Sequence, residues 1–153
     1  MKSRILSFEP EIEAIIQKCQ YCSLAMIDAD GKPYVIHMNF GFRNKTVYFH
    51  SGPEGKKLKA LENDPNVCVA FSTDHLLRWQ NTEVACSYSM KYRSVLVHGK
   101  VKFIEDSDEK MDALNVIMKQ YTDEEYKYSA PAIENVCVFS VDAEKIEGRA
   151  YGY

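Results

Sequence analysis

The sequence predicts a mainly β fold, an antiparallel β-barrel with helices packed outside it. Three observations carry this expectation. Pro33–Arg43 and Tyr92–Ile104 alternate apolar and polar residues with the two-residue period of half-buried strands. Most strand-like runs follow one another through short connections, which favour antiparallel neighbours over parallel crossovers. Helical periodicity is confined to a few stretches, each apolar on one side, as suits helices laid against a sheet.

The elements follow in order. Glu11–Cys19 reads as a helix, with Ile12, Ile15, Ile16 and Cys19 on one face and Pro10 at the first turn. Cys22–Ile27 is a strand, and Asp28-Ala29-Asp30-Gly31 is a turn in which Gly31 takes positive φ. In the strand Pro33–Arg43, Tyr34, Ile36, Met38, Phe40 and Phe42 share one face, while Val35, His37, Asn39 and Gly41 share the other. Arg43-Asn44-Lys45 turns the chain, and Thr46–Ser51 returns as a hairpin partner that sets Tyr48 and His50 beside His37 and Asn39. Pro53–Glu62 is a short helix, Pro65 ends it, and Asn66–Ser72 is a buried strand. Thr73–Asn81 is expected to be a polar loop holding the single tryptophan, Trp79, and Thr82–Met90 a strand before Tyr92–Ile104. Asp106–Tyr121 is a helix opened by Asp106 and Glu109 in capping-box spacing, with Met111, Leu114, Ile117, Met118 and Tyr121 inward. Thr122–Pro131 holds a helical turn, and Asn135–Val141 is the last strand. The reading gives about seven strands in one domain, residues 1–153, with no repeat or linker.

Composition narrows the functional classes. Of 153 residues, 46% are hydrophobic and 27% charged, in the range of soluble globular chains. The longest apolar run, Val67–Phe71, is far shorter than the roughly 20 residues of a membrane-spanning helix. A net charge of −3 argues against general binding to a phosphate backbone. No apolar segment near the start fits a secretory signal, and an odd number of cysteines, five, suits reduced thiols, so a cytoplasmic protein is expected. The Cys19-Gln20-Tyr21-Cys22 spacing has no second ligand pair and lies after a helix, so it reads as buried thiols rather than a metal or redox site.

The residues most suggestive of chemistry are His50-Ser51-Gly52-Pro53-Glu54-Gly55-Lys56-Lys57. A strand ends, small residues turn the chain, and a helix begins with two lysines. Cations at a helix N-terminus are disfavoured by the macrodipole unless an anion sits there. A phosphate held by free backbone N–H groups, Ser51, Lys56 and Lys57 resolves the conflict. The spacing is not that of a P-loop. His37 and Asn39, with Met38 and Phe40 beside them, supply convergent polar groups in an apolar setting, as a ligand pocket requires.

The order of these pieces resembles a known family. Helix, strand, D-G turn, P-Y-V-I-H-M-N-F, Y-F-H-S, G-K-K-L-K-A-L-E-N-D-P and Y-R-S-V-L-V-H-G-K-V are similar to the flavin-binding split β-barrels of the pyridoxamine 5′-phosphate oxidase-like superfamily, nearest the nitroimidazole-resistance branch. The resemblance runs from about Ile12 to Gly148. It implies a six-stranded antiparallel split barrel of the FMN-binding type, acting as a homodimer with flavin (FMN first, FAD second) at the subunit interface. It also implies that His37, Met38, Asn39 and Phe40 contact the flavin ring, that His50 and Ser51 meet the phosphate or ribityl chain, that Lys56 and Lys57 grip the phosphate, and that Ser94 meets the flavin too. His50 stands where that branch carries a histidine near ring and substrate, which makes it the candidate catalytic residue. The implied activity is a flavin-dependent oxidoreductase taking electrons from NAD(P)H to a small organic acceptor such as a nitroimidazole. The alternative on the same fold is a non-catalytic flavin- or haem-binding protein, with a deazaflavin as a third cofactor. The ending Gly148–Tyr153 lacks the arginine and histidine of the vitamin B6 oxidase substrate segment, so that activity is not expected.

Overall fold

The computed structural model describes residues 1–153. Its elements are β1 (Ser3–Leu6), α1 (Glu9–Lys18), β2 (Cys22–Ile27), β3 (Pro33–Met38), β4 (Gly41–Arg43), β5 (Thr46–Ser51), α2 (Lys56–Asn63), β6 (Asn66–Arg78), β7 (Ser89–Ile104), α3 (Ser107–Lys119), α4 (Ala130–Asn135) and β8 (Cys137–Tyr151). The eight strands form one antiparallel sheet in the order β3-β2-β6-β7-β8-β5-β4, with β1 added to the second half of β8. Mainly β with peripheral helices is thus the architecture, as the alternation predicts. The strand count differs from the expected six or seven.

Three local differences account for that count, and each has a physical reason. The run Pro33–Arg43 is two strands, not one. β3 pairs with β2, whereas β4 pairs with β5, and the chain turns between them at Asn39–Phe40. Phe40 is fully buried and lies edge-on to Phe71, 4.9 Å between ring centroids, so its burial in the core draws the chain around the corner. At that corner Gly41 lies against α3. A Cβ there would come within 2.6 Å of the Ile117 backbone nitrogen, so any side chain would push the helix off the barrel. Consequently His37 does not stand on a hairpin beside His50, as a continuous strand would have placed it. It pairs with Ser23 of β2 instead.

The second difference is at β6. The segment Thr73–Arg78, expected as a loop, continues the strand through a bulge between Thr73 and Leu76, while Thr82–Met90 is mostly loop with one 3₁₀ turn at Ala85–Ser87. Polar composition suggested a loop there, but long-range pairing with β7 overrides local propensity. The third is β8, which extends ten residues past Val141 because its second half pairs with both β7 and β1. β1 itself has no strand-like period, since only Leu6 of its four residues is buried.

The barrel interior is filled by inward residues of every long strand, among them Leu24, Val47, Phe49, Val69, Phe71, Val95, Val97 and Phe139, with Ile12, Ile15 and Ile16 of α1 joining them. A second cluster under α3 joins Ala113, Leu114 and Ile117 to Ile133 and Val138. Asp106 caps α3 by accepting from the Glu109 N–H at 3.0 Å. Buried Lys110 donates its ammonium to the Ile133 and Val136 carbonyls at 3.2 and 3.0 Å, which ties α3 to α4. No helix is long and apolar enough to cross a membrane.

Candidate functional site

α2 follows β5 in the chain and packs on β2, with its first residue over Tyr34 of β3. β5 ends in His50 and Ser51, and the Gly52–Gly55 turn leads into the helix. The N-cap residue is Gly55, at φ 141°, a conformation that glycine adopts without strain. No side chain caps the helix, and no acidic residue stands in its first turn. Its leading N–H groups therefore face outward with the positive end of the helix dipole. Lys56 lies over the Tyr34 ring, 4.2 Å from its centroid, and 3.9 Å from Asp28 Oδ2. Lys57 is half-buried and close enough to His50 of β5 for its charge to act there. Burial and then the neighbouring Lys57 ammonium hold the His50 imidazole below its ordinary pKa of 6.5. Ser51 donates its hydroxyl to the Gly52 carbonyl at 2.8 Å, which folds the turn tightly.

The structure thus brings together His50, Ser51, Lys56 and Lys57. The donor set suits a phosphate: uncapped N–H groups and two ammonium groups, with no acid in the first turn, while the Ser51 hydroxyl is held by the Gly52 carbonyl. Asp28 and Tyr34, which flank Lys56, were not legible as site residues. Asp28 is used by the fold, its Oδ1 accepting from the N–H groups of Asp30 and Lys32 at 3.0 and 2.9 Å.

The other sequence-predicted residues lie elsewhere. Met38 and Phe40 are buried in the core. The Phe40 N–H donates to the Tyr121 hydroxyl at 3.1 Å, and that hydroxyl donates to the Gln20 carbonyl at 2.9 Å. Asn39 is exposed at the corner between β3 and β4. His37 is exposed on the outward face of β3, its Nδ1 3.0 Å from Ser23 Oγ. Ser94 sits on β7 opposite Ser72 and Arg149. Registered pairs across β2, β6 and β7 set His37, Ser23, Ala70 and Leu96 on one outward face, which also carries Ser94. Within one chain, the α2 cradle and this face are separate.

The paired cysteines hold no exposed thiol. Cys19 and Cys22 are buried, and burial pushes the Cys22 thiol up to about 12, so neither is a ready nucleophile.

Comparisons with known proteins agree with this architecture. The family model for pyridoxamine 5′-phosphate oxidase matches residues 9–150. A candidate 5-nitroimidazole antibiotic resistance protein from Bacteroides thetaiotaomicron is 43% identical and superposes with a TM-score of 0.88, over 97% of this chain and 87% of that one. A flavocytochrome from Azotobacter vinelandii shares the fold at 22% identity and a TM-score of 0.82, over 99% of this chain and 70% of that one. So does an FAD-binding protein from Mesorhizobium loti, at 24% identity and a TM-score of 0.70, over 99% and 100%. No curated protein sequence matches significantly. With a family match across nearly its whole length and a barrel of the same topology as these relatives, the chain belongs to the pyridoxamine 5′-phosphate oxidase family.

Proposed function

We propose that the protein is a flavin-dependent oxidoreductase that takes electrons from a reduced nicotinamide and passes them to a small organic acceptor. One observation carries the reading: the uncapped N-terminus of α2, with no acidic residue in its first turn and with Ser51, Lys56, Lys57 and His50 around it, suits a phosphate monoester. FMN fits that donor set with its terminal phosphate, and FAD would reach it through its pyrophosphate. A bound flavin supplies hydride acceptance and electron delivery, which no side chain can perform. The relative in Bacteroides thetaiotaomicron favours a nitroimidazole as the acceptor.

The chain's own residues have distinct tasks in this reading. Lys57 and the α2 N–H groups anchor the phosphate, and Lys56, braced on Tyr34, closes its flank. Burial and Lys57 favour the neutral His50 imidazole, whose N–H is then the group that would donate to the cofactor. Asn39 at the β3–β4 corner and Ser94 on the outward face are the polar groups left to meet the ring. They are separate from the cradle within one chain, so the reading includes a homodimer in which a second copy brings the two regions together.

The test is the absorption spectrum of the purified protein, with mass analysis of whatever heat releases. Flavin bands, with FMN or FAD released, support the reading. NADH-driven loss of a nitroimidazole chromophore would then establish the acceptor. Loss of one charge-assisted contact costs about 1.5–3 kcal/mol, so Lys57→Ala weakens flavin retention by roughly 10- to 150-fold with the fold intact. A haem spectrum, or a colourless protein that takes up neither added flavin, overturns it.

A further inference from the structure

The α2 cradle has a carboxylate beside it. Asp28 follows β2, and only 12% of its side chain is exposed. The β2–β3 turn holds it on all sides. Its Oδ1 accepts from the Asp30 and Lys32 N–H groups at 3.0 and 2.9 Å, its carbonyl accepts from the Gly31 N–H at 2.9 Å, and its own N–H donates to the Lys32 carbonyl at 2.8 Å. These turn bonds use only one carboxylate oxygen. The other, Oδ2, lies 3.9 Å from the Lys56 ammonium. A fixed negative charge beside an anion site repels the anion. An asparagine would make the same two Oδ1 bonds without that repulsion, so the turn alone does not account for a carboxylate here.

Lys56 is what the carboxylate faces. It is the first residue of α2, and its side chain is 63% exposed. A lysine so exposed loses much rotamer freedom when it closes on a ligand. Tyr34 restrains it from a second element, since its ring on β3 lies 4.2 Å from the ammonium, within cation–π range. The turn and β3 thus converge on one ammonium. Lys57, by contrast, is half-buried.

We propose that Tyr34 and Asp28 are positioning residues, which hold the Lys56 ammonium beside the N-terminus of α2 so that its charge is in place before a phosphate arrives. Ordering a side chain in advance lowers the cost of binding. The inference rests on the reading of α2 as a phosphate cradle, whichever cofactor carries the phosphate. Inorganic phosphate is the probe, titrated into the dialysed full chain and read from the backbone amide signals of Gly55, Lys56 and Lys57. Saturable binding is expected. Tyr34→Leu should weaken it about two- to fivefold, the size of an exposed cation–π contact, and Tyr34→Phe, which keeps the ring face, should restore it to within about twofold of the wild type. Asp28→Asn keeps the turn bonds. By charge alone it would tighten phosphate binding, so the weakening expected here, about twofold, marks a positioning role. In a Lys56→Ala background Tyr34→Leu should have no further effect, and Asp28→Asn should now tighten binding, because only its repulsion is left to remove. A thermal melt checks that each variant is folded.

Undiminished binding in Tyr34→Leu, no restoration in Tyr34→Phe, tighter binding in the single variant Asp28→Asn, the same losses without Lys56, or a wild type that binds no phosphate overturns the proposal. The flavin reading fails separately. A wild type that binds phosphate with this dependence but takes up no flavin loses the flavin and keeps the positioning role. A yellow protein whose Tyr34→Leu and Asp28→Asn variants match the wild type keeps the flavin and loses the positioning role.

Discussion

Lys57 and His50 set the electrostatics of the α2 cradle between them. His50 is disfavoured as a cation first by burial and then by the Lys57 ammonium. Removing Lys57 therefore lifts only part of the depression. In Lys57→Ala the His50 pKa should rise toward 6.5 without reaching it, read from the imidazole proton shifts in an NMR titration. Inorganic phosphate bound to the wild type should raise it too, because an anion offsets the lysine. A His50 pKa that ignores both changes would place Lys57 away from the ring. The sign for stability follows from linkage. The unfolded imidazole keeps its ordinary value near 6.5, and the folded one is lower. Below 6.5 the unfolded state binds the proton more readily, so the contribution of His50 is full above 6.5 and is lost as pH falls through the folded value. Residue types signalled this site well, since lysines placed against a helix dipole are a conflict visible in one dimension. The bulge between Thr73 and Leu76 was not visible there, because it depends on pairing with β7.

At the scale of elements, periodicity located β2, β5, β7 and α3 because each buries one regular face. It joined β3 to β4 because Phe40 and Phe42 keep the alternation across the corner, while the break comes from tertiary partners. Those partners are testable. The Tyr121 hydroxyl accepts from Phe40 N–H and donates to the Gln20 carbonyl, tying the corner to the segment after α1. Tyr121→Phe leaves both groups unpaired, at a cost of about 1–2 kcal/mol. For a chain of this length that lowers Tm by about 2–8 °C. Gly41→Ala should cost more, because the new methyl meets the α3 backbone rather than a movable side chain. Overpacking of that kind costs about 1–3 kcal/mol, and hydrogen exchange should show α3 opening first. Equal protection of α3 in wild type and Gly41→Ala would mean that the helix is free to shift at no cost.

At the scale of the whole molecule, the sheet leaves one outward face poorly covered by its own chain. Val35 of β3 is 56% exposed and Ile5 of β1 is 78% exposed. Between them the registered pairs set Ala25, Cys68, Ala70 and Leu96 on the same side, around His98, which lies 2.8 Å from Glu147. Single exposed apolar residues are ordinary, but a row of exposed and half-buried ones along five strands is the kind of patch that marks an interface. A stable dimer buries about 800 Å² on each partner. Leu96 stands near its centre. Leu96→Glu buries a carboxylate there directly opposite Glu147, whose partner Lys145 is already engaged at 2.8 Å, so it should yield a monomer. If the flavin lies between two copies, that monomer should also lose its flavin, although every residue of the α2 cradle is intact. Lys57→Ala should do the reverse, keeping the dimer while losing the cofactor. Light scattering and flavin content, measured on both variants, separate the two causes. A wild-type protein that is monomeric and still yellow would show that one chain completes the site by itself, and the ring contacts would then have to come from the β3–β4 corner rather than from the outward face.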